Sequence, residues 1–169
     1  MKIRIGHGFD LHRVQPADQE SSGIMLGGVL VPYHQTIVAH SDGDVILHAI
    51  TDALLGALGL GDIGQWFPDT DPKYKNVSSD RFLLEVYAKV RSMHYTINNI
   101  DVTVIAQKPK LKNYILAIRE KIADLLKISV NDISIKAKTH EGCDSIGEEK
   151  ALAAHAVVLI CSDESIKHS

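Results

Sequence analysis

The stretch His40-Ser41-Asp42-Gly43-Asp44-Val45-Ile46-Leu47-His48-Ala49-Ile50-Thr51-Asp52-Ala53-Leu54-Leu55-Gly56 decides how the chain is read. From Val45 onward it is dense in Ala, Leu and Ile. Ser41 and Asp42 stand ahead of the apolar run as N-cap candidates, which predicts a helix over 45–60. Asp44, His48 and Asp52 interrupt that run at i, i+4 and i+8, so they stack as one polar stripe on an otherwise apolar helix. Two carboxylates around an imidazole cost free energy to bury unless a charge or a metal answers them. Two readings stand: a stripe built around a metal-binding His48, oriented by Asp44 or Asp52, or a partly exposed polar edge of the helix.

Toward the N-terminus, Ile3 and Ile5 alternate with Lys2, Arg4 and Gly6 as in a half-buried strand, which delivers Gly6-His7-Gly8-Phe9-Asp10-Leu11-His12. In extended chain Asp10 and His12 share a face, so both can reach one ion. With His48 they supply two imidazoles and a carboxylate, a donor set that suits zinc, and three protein ligands leave a fourth position open for chemistry. The plainer alternative is a surface Asp and His at a strand end. Residues 13–23 read as a polar loop. Ile24-Met25-Leu26 and Val29-Leu30-Val31 flank Gly27-Gly28 and read as a hairpin.

Toward the C-terminus, the glycines of 59–64 stop the helix. The stretch 65–72 is a turn-rich, carboxylate-rich segment of the kind that carries function on a rigid scaffold. Ser79 can cap a helix over 80–93, with Phe82, Leu83, Val86 and Val90 on its apolar side. A strand over 100–106, a loop at 107–110, a helix over 113–126 and a strand over 133–137 follow. The apolar run 151–160 is assigned to strand on its β-favouring Val157-Val158-Leu159-Ile160 end. The order predicts an α/β fold, a mixed β-sheet covered on one face by helices, in a single domain over 1–169. With no second helical layer in sight, the other sheet face is expected to pack against further copies of the chain in a closed ring.

Composition limits the functions available. Hydrophobic residues at 45% and charged residues at 23% are ordinary globular values, and a net charge of −3 gives no footprint for nucleic acid. No apolar span reaches membrane length, and Met1 is followed at once by strand-like residues in place of a signal peptide. Cys143 and Cys161 lack CxxC spacing and are read as reduced thiols.

Three ordered motifs together carry a resemblance: 5–12 ending in Asp10-Leu11-His12, then His40-Ser41-Asp42-Gly43-Asp44 with His48, then Gly61-Asp62-Ile63-Gly64 running to Phe67-Pro68-Asp69-Thr70-Asp71. The chain resembles the 2-C-methyl-D-erythritol 2,4-cyclodiphosphate synthases, zinc-dependent cyclases of the non-mevalonate isoprenoid pathway, over nearly its whole length. The resemblance implies an intramolecular phosphoryl transfer. The 2-phosphate of 4-diphosphocytidyl-2-C-methyl-D-erythritol 2-phosphate attacks the β-phosphorus, CMP leaves, and a cyclic diphosphate closes. Such chemistry asks a protein for positioning and for positive charge at the phosphate oxygens.

By resemblance, Asp10, His12 and His48 bind zinc or another divalent transition metal. His40 and Thr139 stabilise the transferring phosphate, with Ser41 beside His40. Glu141 holds magnesium or manganese at the diphosphate. Asp62, Ile63 and Gly64 contact the sugars, and Phe67, Pro68, Asp69, Thr70 and Asp71 form a flexible flap. Ala106, Gln107, Lys108, Pro109, Lys110, Leu111 and Lys112 line a cytidine pocket, with Lys138, Thr139, His140 and Glu141 against the nucleotide.

The resemblance further implies a homotrimer around a central cavity, with active sites between subunits. Its compartment is a bacterial cytoplasm, or a plastid for a mature plant form. The family's Thr-Thr-x-Glu reads Lys138-Thr139-His140-Glu141 here. Its Gly-Arg-Gly-Glu-Gly reads Gly147-Glu148-Glu149-Lys150-Ala151, which reverses a charge pair near the cavity. If 148–150 is extended, Glu148 and Lys150 share a face and can pair, and three Glu148 carboxylates on the axis disfavour an isoprenoid diphosphate there. A zinc phosphohydrolase and a non-catalytic trimeric nucleotide-binding module are the competing functions.

Overall fold

Helix α1, Val45–Leu58, is enclosed on nearly every side in the computed structural model of the chain, which describes residues 1–17, 23–75 and 77–162. Only Asp52 and Gly56 of its fourteen residues escape burial, so the helix is apolar all round because it has no solvated face to present. It stops at Gly59, whose φ of 71° is the left-handed conformation that closes a helix at least cost with glycine. Its N-cap is Asp44, not the Ser41 or Asp42 suggested by the sequence.

A five-stranded sheet lies against α1. Its order is β4 (Gln35–Val38), β1 (Ile3–Pro16), β7 (Ala151–Ser162), β5 (Tyr95–Ile105), β6 (Ile133–Lys138). β1 runs antiparallel to β4 and β7, β5 runs antiparallel to β7, and β5 and β6 are parallel. The parallel pair needs a crossover, which α4 (Ile115–Leu126) provides. A separate hairpin, β2 (Ile24–Leu26) and β3 (Val29–Val31), turns at Gly27-Gly28. Helix α3 (Ser79–Ser92) packs on α1 and β5, and α4 on β6 and α3, so these three helices share one face of the sheet, as expected.

Two glycines set the spacing between β1 and α1. A Cβ on Gly6 would stand 1.8 Å from the Ala53 carbonyl oxygen, and one on Gly8 would stand 2.0 Å from that of Ala49. Backbone therefore rests on backbone, and the next two residues on that strand face, Asp10 and His12, continue over the first turns of α1. The opposite strand face is apolar and open in the single chain, with Ile3, Ile5, Phe9 and Leu11 of β1 and Val157 of β7 all exposed.

Several boundaries differ from the sequence reading. β1 runs on to Pro16, where a loop was expected from 13, because Arg13 to Pro16 pair with β4. The remainder of that loop, 18–22, lies outside the described residues. β5 begins at Tyr95 and carries a register irregularity between Ile97 and Asn99. Residues 148–150 form a turn with Glu149 at φ 60°, not an extended run, yet the Lys150 ammonium still pairs with the Glu148 carboxylate.

Candidate metal centre and active site

β1 and α1 bring Asp10, His12 and His48 together. His48 Nδ1 lies 2.9 Å from Asp10 Oδ2, and His12 Nε2 lies 3.0 Å from the same oxygen. The two ring nitrogens, His12 Nε2 and His48 Nδ1, are 3.3 Å apart. Three potential ligand atoms thus lie within 4.8 Å of one another, on side chains that are half-buried (Asp10, His12) or buried (His48). Two imidazole nitrogens and one carboxylate oxygen are the donors a zinc-type ion prefers, so the residues fit such a metal.

The electrostatics of the cluster agree. Burial works to raise the Asp10 pKa, but hydrogen bonds and charge from His12 and His48 prevail and hold the carboxyl well below its ordinary range. Burial likewise opposes a charged His48. The hydrogen bond to Asp10 and the carboxylates of Asp10, Asp44 and Asp42 outweigh it and raise the imidazole pKa. In each case the partner charges outweigh desolvation.

The polar stripe of α1 divides into separate tasks. The Asp44 carboxylate accepts the N–H groups of Ile46 and Leu47 (both 3.1 Å) in its own helix and of Gly27 (2.8 Å) and Gly28 (2.7 Å) in the hairpin turn. Burial pushes its pKa up against those donors. Asp52 accepts the Ile63 N–H at 2.7 Å and so ties α1 to the short helix α2, Ile63–Trp66. Neither carboxylate touches His48, which corrects the expectation that one of them orients the ring. What meets His48 Nε2 is the Ser79 hydroxyl at 2.7 Å, with Ser41 Oγ farther off at 3.4 Å. Ser79 Oγ in turn bonds to Asp42 Oδ1, and the Ser79 N–H donates to Asp42 Oδ2 at 3.1 Å. Ser79 was expected to cap α3, but the N-cap is Ser78, and the Ser79 hydroxyl turns inward.

The cluster forms the floor of a cleft of about 520 Å³, within the usual range for small-molecule sites. Of the expected residues, His40, Ser41, Ile63, Gly64, Phe67, Pro68, Asp69 and Thr70 line it with the three candidate ligands. Phe67 is buried, stacked on Phe82 with ring centroids 4.6 Å apart, and Tyr74 meets both rings edge-on, which anchors this end of the expected flap. Asp62 and Asp71 cap local turns, Asp62 through Gln65 N–H and Asp71 through Lys73 N–H.

The remaining expected residues lie elsewhere. Ala106, Pro109, Lys110, Leu111, Lys112, Lys138 and Thr139 line a second cleft of about 370 Å³. Beside it the Thr139 hydroxyl donates to the exposed Glu141 carboxylate, and His140 pairs with Asp144 at 2.8 Å. Lys108 reaches Glu149 at 3.5 Å, and Gln107 Oε1 accepts the Gly142 N–H at 3.5 Å. Within one chain, then, His40 and Thr139 line different clefts.

Ser79, Phe82 and Tyr74 were missed as site residues. Phe82 was visible only as a core position. Ser79 stands 31 residues from His48, so no local spacing links the two.

The chain has extensive relatives. The model of the YgbB family matches residues 3–161. The 2-C-methyl-D-erythritol 2,4-cyclodiphosphate synthase of Francisella tularensis subsp. novicida is 49% identical over 160 residues, covering 95% of this chain and 99% of that protein. The chloroplastic enzyme of the same name from Arabidopsis thaliana is 46% identical over 160 residues, covering 95% of this chain and 68% of its own. Among solved structures, the bifunctional IspDF of Campylobacter jejuni superposes with a TM-score of 0.91 at 39% identity, covering 98% of this chain, which spans 44% of that longer one. A CDP complex of IspF from Plasmodium falciparum superposes with a TM-score of 0.83 at 40% identity, covering 96% of this chain and 97% of that one.

Proposed function

The chain belongs to the YgbB family, and from that premise we propose that it makes 2-C-methyl-D-erythritol 2,4-cyclodiphosphate. It is a cyclising, CMP-releasing lyase of the non-mevalonate isoprenoid pathway, acting on 4-diphosphocytidyl-2-C-methyl-D-erythritol 2-phosphate. The observation that carries the site assignment is the convergence of His12 Nε2, His48 Nδ1 and Asp10 Oδ2 on the floor of the cleft that His40 lines. Zinc, or another divalent transition metal, would be held by these three residues and would supply Lewis acidity to a phosphate oxygen there.

The chain's own residues do the rest. His40, exposed at the mouth of the cleft, offers a donor to the transferring phosphate, and Ser41 stands beside it. Asp62, Ile63 and Gly64, followed by the segment Phe67 to Asp71, orient the sugar part of the substrate. Holding the 2-phosphate in line with the β-phosphorus is the larger part of catalysis in such a transfer.

In the second cleft, the 106–112 segment takes the cytidine, and Lys138 and Thr139 face its phosphates. Glu141, an exposed carboxylate, suits magnesium or manganese, which takes one or two carboxylates together with phosphate oxygens. Because His40 and Thr139 line different clefts of one chain, a complete site calls for a neighbouring copy, and the open apolar sheet face offers the surface for a homotrimer around a central cavity. The main core cluster, which runs from Ile24 to Ile160, supports a single domain over 1–169.

Among the described residues no helix is long and apolar enough to cross a membrane. The synthases of Francisella tularensis and Arabidopsis thaliana are a bacterial and a chloroplastic protein, which supports a bacterial cytoplasm, or a plastid for a mature plant form, as the compartment.

The deciding experiment is incubation with the diphosphocytidyl substrate, zinc and magnesium, followed by phosphorus NMR. Release of CMP with a cyclic diphosphate is expected. Linear phosphate products would make the protein a zinc phosphohydrolase instead, and nucleotide binding without turnover would make it a non-catalytic module.

A further inference from the structure

The geometry points to Ser79 and Asp42 as positioning residues, a hydroxyl and a carboxylate in series that hold the His48 imidazole with Nδ1 turned to the metal and the ring proton on Nε2. The inference rests on the reading of Asp10, His12 and His48 as a metal site.

A neutral imidazole carries one proton, so a ring that offers the Nδ1 lone pair must carry its hydrogen on Nε2. His48 Nδ1 is the nitrogen that faces Asp10 Oδ2 and His12 Nε2, and Nε2 points away from them, 2.7 Å from Ser79 Oγ. The direction of that contact follows from the next one. A serine hydroxyl has a single hydrogen to give, and Ser79 Oγ also contacts Asp42 Oδ1, an atom that only accepts when the carboxyl is ionised.

Asp42 is fixed for this purpose at both oxygens, since Oδ2 accepts the Ser79 N–H at 3.1 Å and Oδ1 accepts the Asp44 N–H at 3.3 Å. The Ser79 hydrogen therefore goes to Asp42. Only the lone pairs of Oγ face His48, and Nε2 must be the donor. Ser79 is fully buried, so no bulk water competes for its hydroxyl. Nor does the hydroxyl cap α3, since the cap position belongs to Ser78, one residue earlier. Ser41 Oγ, at 3.4 Å from Nε2 and already accepting the Gly43 N–H at 3.2 Å, is the weaker neighbour. Ligand histidines are commonly oriented by a carboxylate or carbonyl on the far nitrogen; here a serine stands between ring and carboxylate.

The test is zinc affinity by chelator competition in the full chain, for wild type, Ser79→Ala, Asp42→Asn and the double variant, with His48→Ala as the reference for a dismantled site. Each single change is expected to weaken zinc by about 10–100-fold, the usual effect of losing such a partner. Because the two residues act in series, the double variant is expected to bind as the weaker single does and not as the product of the two losses. In the zinc-loaded wild type the His48 Nε2–H should give a proton resonance protected from solvent exchange, lost in Ser79→Ala. A purely structural role for Ser79 would lower the melting temperature of the metal-free protein and leave zinc affinity and that resonance in place.

Unchanged affinity in both single variants, or full additivity in the double, overturns the inference. If Ser79→Ala fails to fold, Asp42→Asn, which keeps the shape of the side chain, decides alone. Equal zinc content in wild type and His48→Ala would instead remove the metal-site reading, and this inference with it.

Discussion

The Asp44 carboxylate at the head of α1 accepts the backbone N–H of Gly27 at 2.8 Å and so fastens the hairpin turn to the helix that carries His48. Its other oxygen takes the Gly28 N–H, and two further bonds close the first turn of α1. Removing the carboxylate strips a cap, worth about 1 kcal/mol, and leaves two hairpin donors unpaired at about 1–3 kcal/mol each where they are buried. Asp44→Ala is therefore expected to lose about 3 kcal/mol or more in urea unfolding. The folded fraction should bind zinc as tightly as the wild type, because the Asp44 carboxylate does not touch His48. Loss of zinc with unchanged stability would return Asp44 to the role the sequence suggested.

Gly8 and Gly56 make a matched pair. A Cβ on Gly8 would stand 2.0 Å from the Ala49 carbonyl oxygen, so β1 and α1 must separate to admit it. Gly8→Ala is expected to cost about 3 kcal/mol, at the upper end for overpacking, and to weaken metal binding by shifting Asp10 and His12 off His48. On Gly56 an added Cβ meets only the His7 carbonyl oxygen at 3.7 Å, an ordinary contact in a right-handed helix. Gly56→Ala should stabilise by about 0.5–1 kcal/mol through lost backbone freedom in the unfolded chain. Thermal unfolding of the two variants, one falling and one rising, tests the close approach that places the site.

These two residues also show what the sequence could say. The strand, the helix and the three candidate ligands follow from local periodicity, because Asp10-x-His12 and the apolar run around His48 each obey a spacing rule within one element. The stripe of Asp44, His48 and Asp52 obeys one too, yet its members face three different partners, the hairpin turn, the Asp10–His12 pair and the N-terminus of α2. Spacing places residues on a face and is silent on what the face meets. For the same reason Ser79 read as a cap: its contact with His48 depends on how α3 packs on α1, a relation between elements that no window of sequence contains. The four-residue edge strand β4 went unseen because it is too short for alternation to register.

Tyr33 offers a pH test away from the candidate metal centre. Its hydroxyl donates to Glu149 Oε2 at 3.5 Å and joins the segment leading to β4 to the turn before β7. Burial first, then the Glu149 charge and hydrogen bond, push the phenol up to about 12 from its ordinary value near 10. The folded pKa is the higher one, so the contribution to stability is whole below about pH 10 and is lost as pH rises toward 12. The stability gap between wild type and Tyr33→Phe in urea should accordingly narrow from pH 9 to pH 11. In Glu149→Gln the phenol absorbance near 295 nm should titrate closer to 10. A gap that widens over the same interval contradicts the assigned contact.

The separation of His40 and Thr139 into two clefts allows a mixing experiment. If each working site takes His40 from one chain and Thr139 from its neighbour, His40→Ala and Thr139→Ala chains are each inactive alone but complement each other. In a ring assembled at random from equal amounts, an intact site needs a Thr139→Ala chain on one side and a His40→Ala chain on the other. Each occurs with a probability of about one half, so about one quarter of the sites are whole. Refolding the two variants together is expected to restore CMP release to about a quarter of the wild-type rate, while mixing without exchange of subunits restores none. The composition of the mixed rings, read by native mass spectrometry, supplies the control. Mixed rings that form in the expected proportions and remain inactive would place both residues in one chain's site and dismiss the shared-site arrangement.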